Sequence, residues 1–327
     1  MITRRLLLAS AAALAFVSPA FAEEKLKVIA TFSILGDIVA NVGGDRVEVT
    51  TLVGPDGDAH VFQPAPADAE AVAGAQVIVA NGLGFEGWMD RLVEASGTQA
   101  TVITAAEGVT PIAFGEDEHG HDHAEGEEHS HDHDHDHAEG HDHGHDHGHD
   151  HGEFDPHAWQ SVTNVALYVG AIERGLTVAD PEGAETYKAN AAAYLAELDA
   201  LDAEIRAVVA ALPEDRRTVV TSHDAFGYFA GDYGLTFVAP QGVSTEAEAS
   251  AQDVAALINQ IKDAGIAAVF VENIADRRLL DQIASETGAR IGGTLYSDAL
   301  SGPEGPAATY LTMMRHNLGQ LTAALTN

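Results

Sequence analysis

Fourteen of the eighteen histidines of this 327-residue chain lie in one low-complexity stretch, residues 115–153, where they alternate with Asp, Glu and Gly. They are His119, His121, His123, His129, His131, His133, His135, His137, His141, His143, His145, His147, His149 and His151. Neutral imidazole is a common ligand of zinc and related metals. We predict a disordered loop that binds several ions weakly, because many donors without fixed geometry must be ordered for each ion. A solvated acidic linker is the alternative interpretation.

Four histidines lie outside this stretch: His60, His157, His223 and His316. The first is in the Gly/Pro-rich turn GPDGDAHVFQPAPAD, the second in EFDPHAWQS before a helix, and the third in TSHDAFGYF at the end of a predicted strand. Ligands of open α/β sheets bind at the carboxyl ends of strands. Together the three could therefore supply neutral nitrogen donors to zinc, although each taken singly could be an ordinary loop or core histidine. We interpret His316 as a residue on one face of the terminal helix.

Asp298, in TLYSDALS, is the candidate for a fourth donor. It follows the last predicted strand, so its carboxylate could face the same cleft as His223. Capping of a following helix is the alternative role for Asp298. Three further carboxylates, on Asp155, Asp224 and Glu272, are predicted to orient the imidazoles.

The rest of the chain alternates short apolar runs with helical patterns, which predicts an α/β fold. The runs 28–43 (VIATFSILGDIVANVG) and 219–234 (VVTSHDAFGYFAGDYG) align without a gap, and VIVAN and VFVEN follow them at similar spacing. This internal similarity predicts two lobes of one architecture. The strands are predicted at 27–31, 47–53, 76–81, 218–222, 235–239, 267–272 and 290–295.

A long helix is predicted between the lobes. Asp180 is a suitable N-cap and Pro181 suits the first helical position, and apolar residues then recur every three or four positions up to Pro213. The chain is thereby divided into a first lobe at 23–180, a linking helix at 181–212 and a second lobe at 213–327. A coiled-coil dimer is the competing interpretation of the stripe, but the flanking charges alternate little, so we expect a monomer.

The composition favours cationic ligands. The chain has 51 acidic and 16 basic residues and a formal net charge of −35, which disfavours binding to nucleic acid or anionic lipid. It contains no Cys, so disulfides and thiolate zinc sites are excluded and His, Asp and Glu must hold any metal.

The first 22 residues have the organisation of a secretory signal peptide. Arg4 and Arg5 precede an apolar run at 6–17, and Ala20-Phe21-Ala22 forms a small-x-small cleavage site. The run is too short to span a membrane. We therefore expect a periplasmic protein that is not inserted in the membrane, and the absence of Cys argues against a lipid anchor.

Four segments, FDPHAWQSV, TSHDAFGYFA, PQGVSTEAEASAQD and LYSDALS, resemble those of the solute-binding proteins of bacterial zinc ABC transporters, the ZnuA/AztC type of the cluster A-I family. The resemblance covers essentially all of the chain after residue 22. It implies two Rossmann-like lobes joined by one long rigid helix, with zinc bound in the interlobe cleft by His60, His157, His223 and Asp298. It also implies an ABC permease as partner, and a periplasmic zinc metallochaperone as a further one.

The resemblance bears on the choice of metal. Manganese-binding relatives have a carboxylate where this chain has His223, and three imidazoles with one carboxylate suit tetrahedral Zn²⁺ better than Mn²⁺. The chain departs from the family motif DPHxYEP, because residues 58–64 read DAHVFQP, and it lacks the cysteine pair of many ZnuA proteins.

The sequence thus predicts a non-enzymatic, high-affinity periplasmic protein that delivers Zn²⁺ to an ABC permease, with the His-rich loop as an auxiliary zinc-acquisition site. A solute-binding protein for Mn²⁺, Ni²⁺ or Cu²⁺ is one alternative. A secreted zinc hydrolase is another, but it needs an open metal position and a general base, and no HExxH, GxSxG or P-loop motif is present.

Overall fold

The computed structural model of the protein describes residues 24–113, 154–266 and 268–326. The predicted signal peptide at 1–22 and the histidine-rich stretch at 115–153 lie outside the described residues, so the expectations for them stay predictions.

The described chain forms two four-stranded sheets of the same topology. Their strands are β1 (Leu26–Phe32), β2 (Val47–Val53), β3 (Val77–Ala80), β4 (Thr101–Thr104), β5 (Thr218–Val220), β6 (Thr236–Val238), β7 (Ala268–Glu272) and β8 (Arg290–Leu295). The strand orders are β2-β1-β3-β4 and β6-β5-β7-β8, and every strand pairs in parallel with its neighbours. The prediction of two similar α/β lobes is therefore confirmed.

Helices cover these sheets. They are α1 (Ser33–Gly43), α2 (Pro66–Ala73), α3 (Met89–Ser96), α4 (Val162–Ala179), α5 (Ala184–Ala210), α6 (Gly227–Tyr233), α7 (Ala251–Ala264), α8 (Arg278–Thr287) and α9 (Tyr310–Leu325). Strands β1 and β3 are apolar and almost wholly buried, as expected for central parallel strands covered on both faces. None of the helices in the described part of the chain is long and apolar enough to cross a membrane.

The linking helix α5 contacts elements of both lobes. Its 27 residues span about 40 Å at 1.5 Å per residue. Asn190 donates to the Val42 carbonyl of α1, whereas Arg315 of α9 forms an ion pair of 2.9 Å with Glu204. The predicted apolar stripe is buried in these contacts. The buried residues of α5 are Tyr187, Ala191, Tyr194, Leu198, Leu201, Ile205 and Val209, so the last of them is Val209 and not the predicted Val208.

Two details differ from the sequence-based expectations. Strand β4 was not predicted, because it is only four residues long and three of them are exposed at the sheet edge. Asp180 caps a short 3-10 turn, residues 181–183, and α5 begins after it. The 3-10 turn forms because the Asp180 carboxylate accepts from the Gly183 amide and also binds Arg46 and Tyr187.

Candidate metal centre

The four predicted donors come together between the lobes. His60 follows β2 and His157 precedes α4, so the first lobe supplies two of them. His223 follows β5 and Asp298 follows β8 at the carboxyl edge of the second sheet. One ligand atom from each lies within 4.8 Å of the others, and all four side chains are buried. Asp298 does not cap a helix, because the next helix, α9, begins only at Tyr310.

The donor atoms surround one point at short separations. His60 Nε2 lies 3.3 Å from His157 Nε2, and His223 Nε2 lies 3.4 Å from His157 Nε2. Asp298 Oδ2 lies 3.3 Å from His60 Nε2 and 3.1 Å from His223 Nε2, while Asp298 Oδ1 lies 3.6 Å from His157 Nε2. These four groups can thus all contact one small ion.

Two buried carboxylates orient two of the imidazoles. His157 Nδ1 lies 2.8 Å from Asp155 Oδ1, and His223 Nδ1 lies 2.6 Å from Glu272 Oε2. Each Nδ1 is turned toward its carboxylate, so each Nε2 faces the centre and presents a lone pair there in the tautomer that is protonated at Nδ1. The lone pairs of the imidazole Nε2 atoms then point toward one another and toward the Asp298 carboxylate. Such a cluster is electrostatically unfavourable unless a cation lies among the acceptors.

Burial and the neighbouring charges together determine the pKa values of three of the four donors. Burial alone lowers the pKa of His223, but the carboxylates of Glu272 and Asp298 raise that pKa well above its usual value. Burial alone raises the pKa of Asp298, but the nearby His223 and His157 hold it well below its usual value. Burial lowers the pKa of His60 by more than its hydrogen bond to the Asp298 carboxylate raises it. A positive charge is therefore favoured at His223 and a negative one at Asp298.

His60 differs from the other two imidazoles. No hydrogen bond of the described residues joins its Nδ1 to a carboxylate, and its ring packs edge-on against Phe85 at 4.8 Å between centroids. It also lines a cavity of about 540 Å³ whose wall includes Phe62, Trp88 and Arg91. His60 is thus the donor nearest to an opening of the centre.

The loop that carries His60 is held from both lobes. Asp58 Oδ1 accepts from the His60 amide at 2.9 Å, and Asp58 Oδ2 accepts from the Thr245 hydroxyl of the second lobe at 2.7 Å. Trp88 Nε1 donates to the Ala59 carbonyl at 2.8 Å. These contacts position the loop although the Pro and Glu of DPHxYEP are absent from it.

A second connection between the lobes lies beside His157 and Asp298. The Ser297 carbonyl accepts from both Trp159 Nε1 and Gln160 Nε2 at 2.8 Å. This contact fixes the segment after His157 against the segment before Asp298. The sequence analysis did not identify it, because a backbone acceptor leaves no signature in the sequence.

The structure also places the remaining candidates. Asp155 and Glu272 contact imidazoles as predicted. The prediction for Asp224 was wrong, since no contact of the described residues joins its carboxylate to an imidazole, although its charge lies near His157 and His223. His316 lies on α9, where Nε2 is 3.0 Å from the Thr294 carbonyl, in agreement with its interpretation as a residue on the helix face.

The family model described as "Zinc-uptake complex component A periplasmic" matches residues 28–324. The chain is 32% identical over 302 residues to the manganese-binding lipoprotein MntA of Halalkalibacterium halodurans, covering 92% of this chain and 89% of that protein. It is 33% identical over 308 residues to the iron-binding protein YfeA of Yersinia pestis, covering 94% and 88%.

A solved structure has the same fold. The periplasmic zinc-binding protein TroA of Treponema pallidum superposes with a TM-score of 0.79 at 28% identity, covering 92% of this chain and 99% of that one. The similarity extends across both lobes and therefore excludes the hydrolase alternative. The chain belongs to the ZnuA family of periplasmic metal-uptake components, whose members are substrate-binding proteins of ABC transporters and not enzymes.

Proposed function

We propose that this protein captures Zn²⁺ in the periplasm and delivers it to an ABC permease for import. The family and the clustered donors support binding of a divalent metal at this site. The observation that carries the choice of zinc is His223, a third imidazole held by Glu272 with its Nε2 toward the centre. Nitrogen donors favour zinc over the harder Mn²⁺.

The donor separations fit zinc, with one or the other oxygen of Asp298 facing each imidazole. Zinc binds imidazole nitrogen at about 2.0–2.1 Å in a tetrahedral site, so neighbouring donors lie about 3.3–3.4 Å apart. The five separations given above run from 3.1 to 3.6 Å. Four protein donors complete a tetrahedron and leave no position for a reactive water, which suits a transported ion better than a catalytic one.

The names of the relatives favour a second candidate. MntA is called manganese-binding and YfeA iron-binding, whereas TroA is called zinc-binding. Mn²⁺ or Fe²⁺ import is therefore a real competitor of zinc import, and Ni²⁺ or Cu²⁺ remain further alternatives that imidazole donors accept.

Competitive titration of the purified, metal-free protein separates these candidates. We expect Zn²⁺ to displace Mn²⁺ and Fe²⁺ from one tight site, and His223→Ala and Asp298→Ala to weaken that site strongly. An exposed substitution on the second lobe, Glu286→Gln, is the control. Tighter binding of Mn²⁺ than Zn²⁺ by the parent protein would overturn the zinc assignment.

Release to the permease requires that one of the four ligands dissociates from the ion. We place this step at the His60 loop, because His60 lines the cavity and no carboxylate of the described residues binds its Nδ1. Helix α5, by contrast, holds the lobes against a large hinge motion. Solution scattering tests this: a large change in size on adding zinc would contradict it.

The remaining parts of the proposal concern regions outside the described residues. Residues 1–22 direct export and are removed, which leaves the protein free in the periplasm. The histidine-rich stretch raises the local zinc concentration near the cleft, as weak sites beside a tight one do. A periplasmic metallochaperone is a further partner.

A further inference from the structure

The chain on either side of the histidine-rich insertion is joined at one place. Ala113 pairs with Phe154 in an isolated antiparallel bridge, and the Asp155 amide donates to the Ile112 carbonyl at 2.9 Å. His157 stands two residues beyond Asp155. The base of the insertion is therefore immediately next to the metal centre.

Tyr228 reaches this base from helix α6 of the second lobe. Its buried hydroxyl accepts a hydrogen bond from the Ile112 amide at 3.2 Å and donates to the Asp155 carbonyl at 3.0 Å. One hydroxyl thus holds the segment that enters the insertion and the segment that leaves it.

Gly227, the neighbour of Tyr228, lies close to the carboxylate of Asp155. A Cβ atom at this glycine would lie 2.5 Å from Asp155 Oδ2, which is too close for any real contact. Helix α6 therefore bounds Asp155 at its carbonyl and at its carboxylate.

Asp155 in turn fixes His157. Its Oδ1 accepts from the His157 amide at 2.9 Å and lies 2.8 Å from His157 Nδ1, and both residues are buried. The direction of His157 Nε2 consequently depends on where α6 holds Asp155.

We propose that Gly227 and Tyr228 are positioning residues of the metal centre: they hold Asp155, which orients His157. Through the same contacts they connect the base of the insertion to the cleft. This inference rests on the proposed function, since His157 must bind the transported ion. It deepens that function, because a change at the base of the insertion then alters how firmly the cleft holds its metal.

Two matched pairs of substitutions on α6 test the proposal in the full chain. Tyr228→Phe removes the bridging hydroxyl, and Tyr233→Phe removes a hydroxyl that donates to Asp202 of α5 at 2.9 Å. Gly227→Ala pushes on Asp155, whereas Gly231→Ala adds the same methyl group where nothing lies within 4 Å.

Three measurements are compared: the slow phase of Zn²⁺ release into excess chelator, the visible absorption of bound Co²⁺, and the melting temperature of the metal-free protein. We expect Tyr228→Phe to speed slow release about threefold to tenfold and Gly227→Ala to speed it more, each with a changed Co²⁺ spectrum. The two controls keep the parent rate and spectrum.

The proposal is overturned if Tyr228→Phe releases zinc at the parent rate with the parent spectrum, or if Tyr233→Phe changes both as much. If Gly227→Ala fails to fold, the comparison of Tyr228→Phe with Tyr233→Phe is sufficient to test the proposal. A parent protein that holds Mn²⁺ but not Zn²⁺ in the slow phase contradicts the zinc assignment only, and the same comparison is then made with Mn²⁺.

Discussion

The His223 imidazole and the Glu272 carboxylate lie 2.6 Å apart between Nδ1 and Oε2, and both side chains are fully buried. Glu272 Oε1 also accepts from the Ser222 and His223 amides at 2.7 and 2.9 Å. One carboxylate therefore fixes both the backbone and the ring of a donor in the metal centre.

We expect Glu272→Gln to weaken zinc binding about 10- to 100-fold, as is usual when the carboxylate behind a ligating histidine is lost. The amide can still accept from the two backbone groups, but it cannot balance charge at the ring. Competition with a chelator of known affinity measures the effect. Glu286→Gln, on the exposed face of α8, is the matched control and keeps the parent affinity.

Zinc binding is expected to release about one proton per ion near pH 7. The pKa of His223 is raised by Glu272 and Asp298, so the free protein carries a proton there that the metal must displace, whereas burial keeps His60 neutral. Affinity therefore increases with pH as long as the free His223 is protonated. Calorimetry in two buffers of different ionisation enthalpy measures the release, and identical heats in both buffers would contradict it.

The start of α5 provides a separate prediction about stability. Arg46 binds both oxygens of Asp180, at 2.8 and 3.0 Å, and lowers the pKa of this carboxyl to about 2. A lowered pKa stabilises the fold above the unfolded value near 4, and the contribution is lost as the pH falls through about 2.

Asp180→Asn is therefore expected to lower the free energy of unfolding at pH 7 by about 1–2 kcal/mol, a figure reduced from the full pKa shift because the side chain is partly exposed. The difference from the parent shrinks between pH 4 and pH 2. Urea unfolding at several pH values measures it, with Asp199→Asn on the exposed face of α5 as control. A difference that is constant with pH would exclude the ionic explanation.

Deletion of residues 116–153 is expected to leave one tight zinc ion per chain and to remove the weaker ones. The four donors of the cleft and the Ala113–Phe154 bridge all remain in the shortened protein. Metal analysis after dialysis counts the ions, and a Ser/Gly segment of equal length controls for the loss of the chain itself. Retention of every ion would refute the auxiliary role of the histidines.

The sequence predicted those elements and site residues that have a local hydrophobic or polar pattern. Apolar runs gave the central strands, the three-and-four spacing gave α5, and four polar residues beside strand ends gave the donors that the structure brings together. Strands β2 and β8 were predicted with their observed bounds, Val47–Val53 and Arg290–Leu295.

The contacts that depend on three-dimensional proximity were not predictable in this way. Tyr228 lies more than seventy residues from Asp155 in the chain, and Thr245 lies far from Asp58, so no local pattern joins either pair. Asp224 shows the reverse error. It is next to His223 in sequence, yet the distant Glu272 takes the position beside the ring.

The closure of the insertion at Ala113 and Phe154 has a consequence for protein engineering. Since entry and exit are adjacent, the host fold bears no strain from the length of what is placed between them, and the closure entropy of a longer segment grows only slowly. A fluorescent reporter domain grafted at this point would sit beside a ligand of the cleft, where its signal could follow loading of the protein in living cells.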